Sequence, residues 1–312
     1  MFRERGELSR DHRTLIANVY NGDEVVAFKD LLNYAFKLGD FECSIINDGA
    51  RSLGEMTKQT PIKFFFGNAP QIELETDLKQ HGGLDASTKC TFNYLLVKGD
   101  AQFTLIDAGC GDQAENEKHS KEPAGKLIEN LAKSGIKREE IKRVVISHCH
   151  WDHFGGICLD GEHAFPNASY IMSVAEANYI KKTVKGWALD YLKMIERKTI
   201  FIEDSADFIP GIRVMQAPGH TPGLIVVEVS SRGESLLYTS DVIIHPLHVE
   251  HPDWSPSFET DRATAALSRN KIVDSAYRLN RLLHAPHMPS PGLGKIILRP
   301  EGFRWVAQIN KQ

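Results

Sequence analysis

Cysteine is sparse in this chain, and its placement excludes several architectures. Cys43, Cys90, Cys110, Cys149 and Cys158 are odd in number and contain no C-x-x-C pair, so neither a disulfide framework nor a paired-thiol site is expected. Free thiols suit a reducing compartment, and the expected location is cytoplasmic. No run approaches the roughly 18 apolar residues that a membrane span needs. The start, MFRERGELSRDHR, is charged and lacks an apolar core, which argues against an ordinary secretory signal. Nor is there an excess of one charge. The formal net charge of −4 gives no basic field, so nucleic acid is not an expected partner. What remains is a 312-residue chain, 42% apolar and 25% charged, which fits a soluble globular protein with one sizeable core.

Residues 1–37 read as an N-terminal arm ahead of a single domain over 38–312. Val25, Phe28, Leu32 and Phe36 fall at roughly helical spacing, which predicts a docking helix. If the arm is exchanged between two copies, the chain forms a homodimer. From Phe41 the pattern turns to strands and turns: FECSIINDG, CTFNYLLVKGD and AQFTLIDAGCG, broken by Gly, Asp and Asn. Residues 124–134 form a helix with Leu127, Ile128 and Leu131 on one stripe and Gly135 as its stop. RVVIS (143–147) is apolar without alternation, which predicts a strand buried on both faces. Ser173 and Glu176 have capping-box spacing and open a helix running to about Lys185. IRVMQAPGHTPG, LIVVEVS and SLLYTSDVII are strands again, and Thr260 caps a long helix with Ile272, Ala276, Leu279 and Leu283 on one face.

The informative stretch is Ser147-His148-Cys149-His150-Trp151-Asp152-His153-Phe154-Gly155-Gly156. Three imidazoles and a carboxylate follow a buried strand and precede two glycines that let the backbone turn tightly. Neutral imidazole nitrogen mixed with anionic oxygen suits hard or borderline dications. Cys149 points away if His148 and His150 share one face of extended backbone, so it reads as a packed core residue. Four donors in a row are also consistent with one structural ion. Further donors stand at other strand ends, however: His220 in APGHTPG, Asp241 closing LLYTSD, and His287 in HMPSPGLG. Strand-to-loop junctions are where rigid scaffolds gather chemistry.

The ordered set H-x-H-x-D-H, PGHTPG, S-D and a final His resembles the metallo-β-lactamase superfamily over about residues 40–305. The tail SDVIIHPLHVEHPDWSPSFETD, with HMPSPGLGKI and GFRW, is similar to the branch containing methyl parathion hydrolase and the quorum-quenching lactonases. The resemblance implies an α/β fold, a four-layer αββα metallo-β-lactamase sandwich. It implies two metal ions, one held by His148, His150 and His220 and the other by Asp152, His153 and His287, with Asp241 bridging. A carboxylate, unlike an imidazole, has the oxygens to span two ions. With no cysteine among the ligands nothing forces a soft site; zinc is the first choice, with iron, manganese and cobalt as alternatives.

Such a pair generates a bridging hydroxide near neutral pH and polarises a carbonyl or phosphoryl oxygen. Asp152 and Asp241 are the catalytic candidates, orienting that hydroxide. The expected substrates are small molecules, either lactones or esters, acyl-homoserine lactones and aryl phosphotriesters among them. In the acyl-homoserine lactonases a tyrosine three residues after the bridging Asp assists the substrate; Ile244 stands there, which favours the methyl parathion hydrolase-like side. His245, His248 and His251 are candidates for a proton donor. Phe64, Phe65, Phe66, Trp151, Trp187 and Trp254 are candidates for an apolar wall. His119, His163 and His284 fall outside the motifs and read as surface or core residues. Three rival readings remain: a glyoxalase II-like thioesterase, a metallo-nuclease, and a non-catalytic ligand sensor that retains the metal shell. The nuclease wants a basic groove that a net charge of −4 does not supply.

Overall fold

A computed structural model describes residues 33–113 and 124–308. Among the described residues sixteen strands run in chain order: β1 Asn33–Leu38, β2 Phe41–Ser52, β3 Lys89–Gly99, β4 Gln102–Ile106, β5 Ile141–Val145, β6 Cys158–Leu159, β7 Glu162–His163, β8 Ser169–Ser173, β9 Thr199–Ile202, β10 Ala206–Ile209, β11 Ile212–Gln216, β12 Ile225–Ser231, β13 Glu234–Tyr238, β14 Leu282–His284, β15 Leu293–Arg299 and β16 Gly302–Ala307. One 7-stranded sheet has the order β1-β2-β3-β4-β5-β8-β9, and the other runs β10 through β16 in sequence order.

Residue patterning along the strands explains the layering. In β12, Ile225, Val227 and Val229 enter the core between the two sheets, meeting Ile45, Leu95, Val97 and Ile171 of the first. Val226 points the other way, onto Ile272, Val273 and Ala276 of the helix Arg262–Arg278. In β5, Val144 packs toward the outer helices and Val145 between the sheets. Two buried faces require an unbroken apolar run, as the sequence of β5 predicts. Leu127 and Leu131 of the helix Leu127–Lys133 join the outer core with Ala188, Leu192 and Ile195 of the helix Gly186–Ile195. Helices on both outer faces of two packed sheets make the expected αββα sandwich.

Several local expectations are corrected. Phe36 belongs to β1, where it pairs with Cys43 of β2 rather than lying on a helix; Val25, Phe28 and Leu32, and with them most of the arm, lie outside the described residues. Asp261 caps the helix Arg262–Arg278, its side chain accepting from Thr264 N. Thr260 instead turns its hydroxyl to the carbonyls of Gly219 and His220. Leu279 is exposed and Leu283 sits in β14, so the buried face of that helix ends at Ala276. Among the described residues no helix is long and apolar enough to cross a membrane.

Candidate metal centre

Strand ends deliver the chemistry to one edge of the sandwich. After β5 the chain leaves the first sheet through Ser147, whose carbonyl accepts from Ile225 N of the second sheet (3.0 Å). His148 and His150 follow, and the short helix Trp151–Phe154 carries Asp152 and His153. Gly156 packs under the turn after β4, where an added Cβ would meet Ala108 O at 1.9 Å; only glycine lets the motif approach that turn. His220 sits between β11 and β12, Asp241 in the turn Ser240–Val242 after β13, and His287 beyond β14. All seven residues singled out in the sequence meet here in two groups, His148, His150, His220 and Asp241 in one and Asp152, His153 and His287 in the other.

Donor atoms converge. In the first group His150 Nδ1 lies 3.0 Å from both His148 Nε2 and His220 Nε2. In the second, His153 Nε2 and His287 Nε2 are 3.2 Å apart, and Asp152 Oδ2 is 3.7 and 3.5 Å from them. Asp241 faces both. Its Oδ2 is 3.3 Å from His220 Nε2 and 3.8 Å from His148 Nε2, while its Oδ1 is 3.0 Å from both His153 Nε2 and His287 Nε2. Ligands at 2.0–2.1 Å around a tetrahedral ion stand about 3.3 Å from one another, so the observed separations fit an ion in each group.

Proton placement agrees. Burial holds the imidazoles of His148, His150 and His220 below their usual range. They are therefore neutral, which is the ligating form. His153 Nδ1 donates to Asp107 Oδ2 at 2.7 Å and His287 Nδ1 to Thr91 O at 3.1 Å, which turns each Nε2 lone pair inward. Burial opposes protonation of His153 and His287, but the carboxylates outweigh it and raise both, His153 to about 10. A dication held by His153 and His287 would take the place of those protons.

The supporting residues had not been singled out. Asp107, buried and in left-handed backbone (φ 64), accepts from Ser147 N, Ser147 Oγ and Tyr238 Oη at 2.7 Å each, besides His153. Its signal was present in IDAGCG, since Asp tolerates the left-handed region better than most residues. Tyr94 Oη donates to Asp152 O. Cys149 is buried as expected, and burial pushes its thiol up.

A cavity of about 280 Å³ opens on the ligands, walled by Met56, Phe64, Phe65, Trp151, Ile244 and Phe258, with Arg51 at 4.8 Å over the Trp151 ring. Phe64, Phe65 and Trp151 thus line it, whereas Phe66, Trp187 and Trp254 do not. Phe66 packs behind it against His245 and His248, Trp187 lies on Phe154 and Tyr191, and Trp254 stacks on His251. None of His245, His248 and His251 lines the cavity. His248 bonds Phe65 O and His251 bonds Asp77. His163 lies in β7 and His284 in β14, both outside the ligand groups, and His119 falls outside the described residues.

Residues 89–278 match the family model described as the metallo-beta-lactamase superfamily. The chain belongs to that superfamily. Within it, the chain is 28% identical over 153 residues to an N-acyl homoserine lactonase of Bacillus cereus, covering 47% of this chain and 57% of that protein. It therefore spans little more than half the length of that relative. A 60-residue stretch, 19% of this chain and 16% of the other, is 47% identical to the probable metallo-hydrolase YqjP of Bacillus subtilis (strain 168). Among solved structures, AidC, a dizinc quorum-quenching lactonase, aligns with a TM-score of 0.79 at 28% identity, covering 91% of this chain and 100% of AidC. The hydrolase AbOPH aligns with a TM-score of 0.75 at 24% identity, covering 91% and 100%. The second likeness is one of fold.

Proposed function

We propose that this metallo-β-lactamase-fold chain is a dinuclear metal-dependent hydrolase of lactones and esters, acyl-homoserine lactones among its substrates. Asp241 carries the reading: each of its oxygens faces a different histidine group at 3.0 to 3.8 Å, and one structural ion has no use for that arrangement. His148, His150 and His220 would hold one ion and Asp152, His153 and His287 the other, with Asp241 shared. When bound, two divalent ions supply Lewis-acid polarisation of the scissile carbonyl or phosphoryl group and a nucleophile drawn from water near neutral pH. Zinc is our choice of ion; the donor set is nitrogen and oxygen without thiolate, and the similar AidC is a dizinc enzyme.

The chain's own residues supply the rest. Asp152 and Asp241 accept hydrogen bonds and so orient the attacking water. Met56, Phe64, Phe65, Ile244 and Phe258 take up an acyl or aryl group and exclude bulk water. Among the described residues, the apolar side chains Met56, Phe64, Phe65, Ile244 and Phe258 of this wall carry no proton for a leaving group. Ile244 is apolar, and burial holds His245 neutral, down to about 3, and His248 low as well. Alkoxides and phenolates depart without prior protonation, whereas amines do not. Lactones, aryl esters and aryl phosphotriesters are the fitting substrates. A glutathione thioester brings two carboxylates, and among the described lining residues Arg51 is the sole cation, which favours a lactone over the thioesterase alternative.

The test is a panel of lactones, aryl esters, thioesters, phosphotriesters and matched amides, assayed on metal-replete protein. Lactones and aryl esters should be turned over orders of magnitude faster than amides or β-lactams. β-Lactam turnover equal to the best lactone refutes the absence of a proton donor. No turnover of any substrate by protein carrying two ions favours the sensor.

A further inference from the structure

The loop bearing His148 and His150 and the loop bearing His220 meet over one buried carboxylate that is not a candidate ligand. Glu176, in the helix Val174–Tyr179, is fully buried. Its Oε1 accepts from Cys149 N at 2.9 Å, between the two histidines of the first motif. Its Oε2 accepts from Thr221 Oγ1 at 2.7 Å and Gly223 N at 3.0 Å, beside the third histidine. Ser173 Oγ accepts from Glu176 N at 3.0 Å and donates to Gly223 O at 2.6 Å. An added Cβ at Gly223 would stand 2.1 Å from Glu176 N, so the two segments are in backbone contact. The capping-box spacing of Ser173 and Glu176 is therefore half used: the serine caps the helix, and the glutamate leaves for the metal centre.

We propose that Glu176 is a positioning residue for the first ion site, holding His148 and His150 at a set distance from His220; this rests on the dinuclear reading above. The chemistry calls for a carboxylate. Three donors from two loops converge on two acceptor oxygens, and bonds to an ionised acceptor are roughly twice as strong as neutral ones. A glutamine must turn its amide N–H₂ toward either Cys149 N–H or Gly223 N–H, which releases one loop. Thr221 is the tolerant partner, since its hydroxyl can reverse and accept. Losing an outer partner of this kind typically lowers metal affinity about 10–100-fold. Because Glu176 bonds the chain between His148 and His150 and beside His220, whereas Asp152 and His153 lie one turn further on in the helix Trp151–Phe154, the first ion should weaken well before the second.

The experiment uses the full chain loaded with zinc, dialysed against a graded series of chelator concentrations, with ions per chain counted by elemental analysis. Wild type should hold two. Glu176→Gln should release one ion at a free-zinc level about 10–100-fold higher than wild type requires, and keep the other. In a His287→Ala background, where the remaining ion occupies the first site, the shift should persist; in a His148→Ala background it should vanish. Thr221→Val, which removes one bond and keeps the carboxylate, should shift the same ion by a smaller factor, and it carries the test if the glutamine variant does not fold. Both ions weakening together, or a lower melting temperature with unchanged zinc retention, overturns the role of Glu176. Wild-type protein that holds fewer than two ions overturns the dinuclear reading and this role with it.

Discussion

Glu259→Leu leaves a buried guanidinium without its counter-ion, and the structure sets the expected cost. Arg269, in the helix Arg262–Arg278, donates Nε to Val242 O at 2.7 Å, Nη1 to Pro252 O at 2.6 Å and Trp254 O at 3.2 Å, and Nη2 to Glu259. Both side chains are fully buried. The three carbonyl bonds survive the substitution, so the loss is the compensation of a buried charge, about 3–5 kcal/mol. At 1.36 kcal/mol per decade that is roughly 10²–10⁴-fold in the folding equilibrium. Arg269→Met should cost more, because it also strips the donors from three buried carbonyls at about 1–3 kcal/mol each. The double variant removes both charges but leaves those carbonyls unmet, so it should stay well below wild type. Urea unfolding followed by circular dichroism, at one saturating zinc concentration, measures all three. A Glu259→Leu cost under about 1 kcal/mol, the value of an exposed pair, refutes the reasoning, as does a double variant restored to wild type. Segment 242–259 also carries Ile244 and Phe258 to the cavity wall, so KM should rise in the single variants before kcat falls.

Other substitutions test the site. His148→Ala and His287→Ala should each empty one ion site preferentially, while Asp241→Ala should weaken both and cost more activity; equal losses in all three by elemental analysis would sink the assignment. Phe258, with its ring centroid 4.5 Å from Phe64, should govern chain length. Phe258→Ala should raise KM about tenfold for a long-chain lactone, as burial of a few methylenes implies, and leave a short-chain lactone unchanged; equal effects on both count against an acyl wall. His245 faces Phe66, His81 and His248, and burial lowers it to about 3. A base depressed on folding contributes stability that is full above its unfolded value near 6.5 and is lost as pH falls from there toward 3. His245→Leu should therefore flatten the acid limb by about 2 kcal/mol at pH 5 relative to pH 7.5. Urea midpoints that fall in parallel for wild type and variant would refute it.

How much of this was legible in the sequence depended on whether a residue's type or its partner carries the information. A metal centre needs imidazole nitrogen and carboxylate oxygen, few side chains supply them, and each candidate stood at a strand end, so the seven residues that converge in the structure could be picked out without coordinates. The layers were legible for a similar reason: Val144 and Val145 face two different cores, and no alternating strand does that. Partners were not legible. Phe36 repeats at helical spacing with residues before it, yet it pairs across a turn with Cys43, and ladder pairing outweighs a weak local period. Trp187 and Trp254 have the same chemistry as Trp151, and only the third dimension puts Trp151 on the cavity. Glu176 is the sharpest case. S-x-x-E spacing is a local signature with a local explanation, and the serine obeys it. The carboxylate does not, because three donors on two distant loops outcompete one N–H at the helix start. An acidic residue three positions after a cap is thus ambiguous by construction: its reach covers both its own helix and whatever packs beside it. The packing of Gly223 against Glu176, which no period records, decides between them.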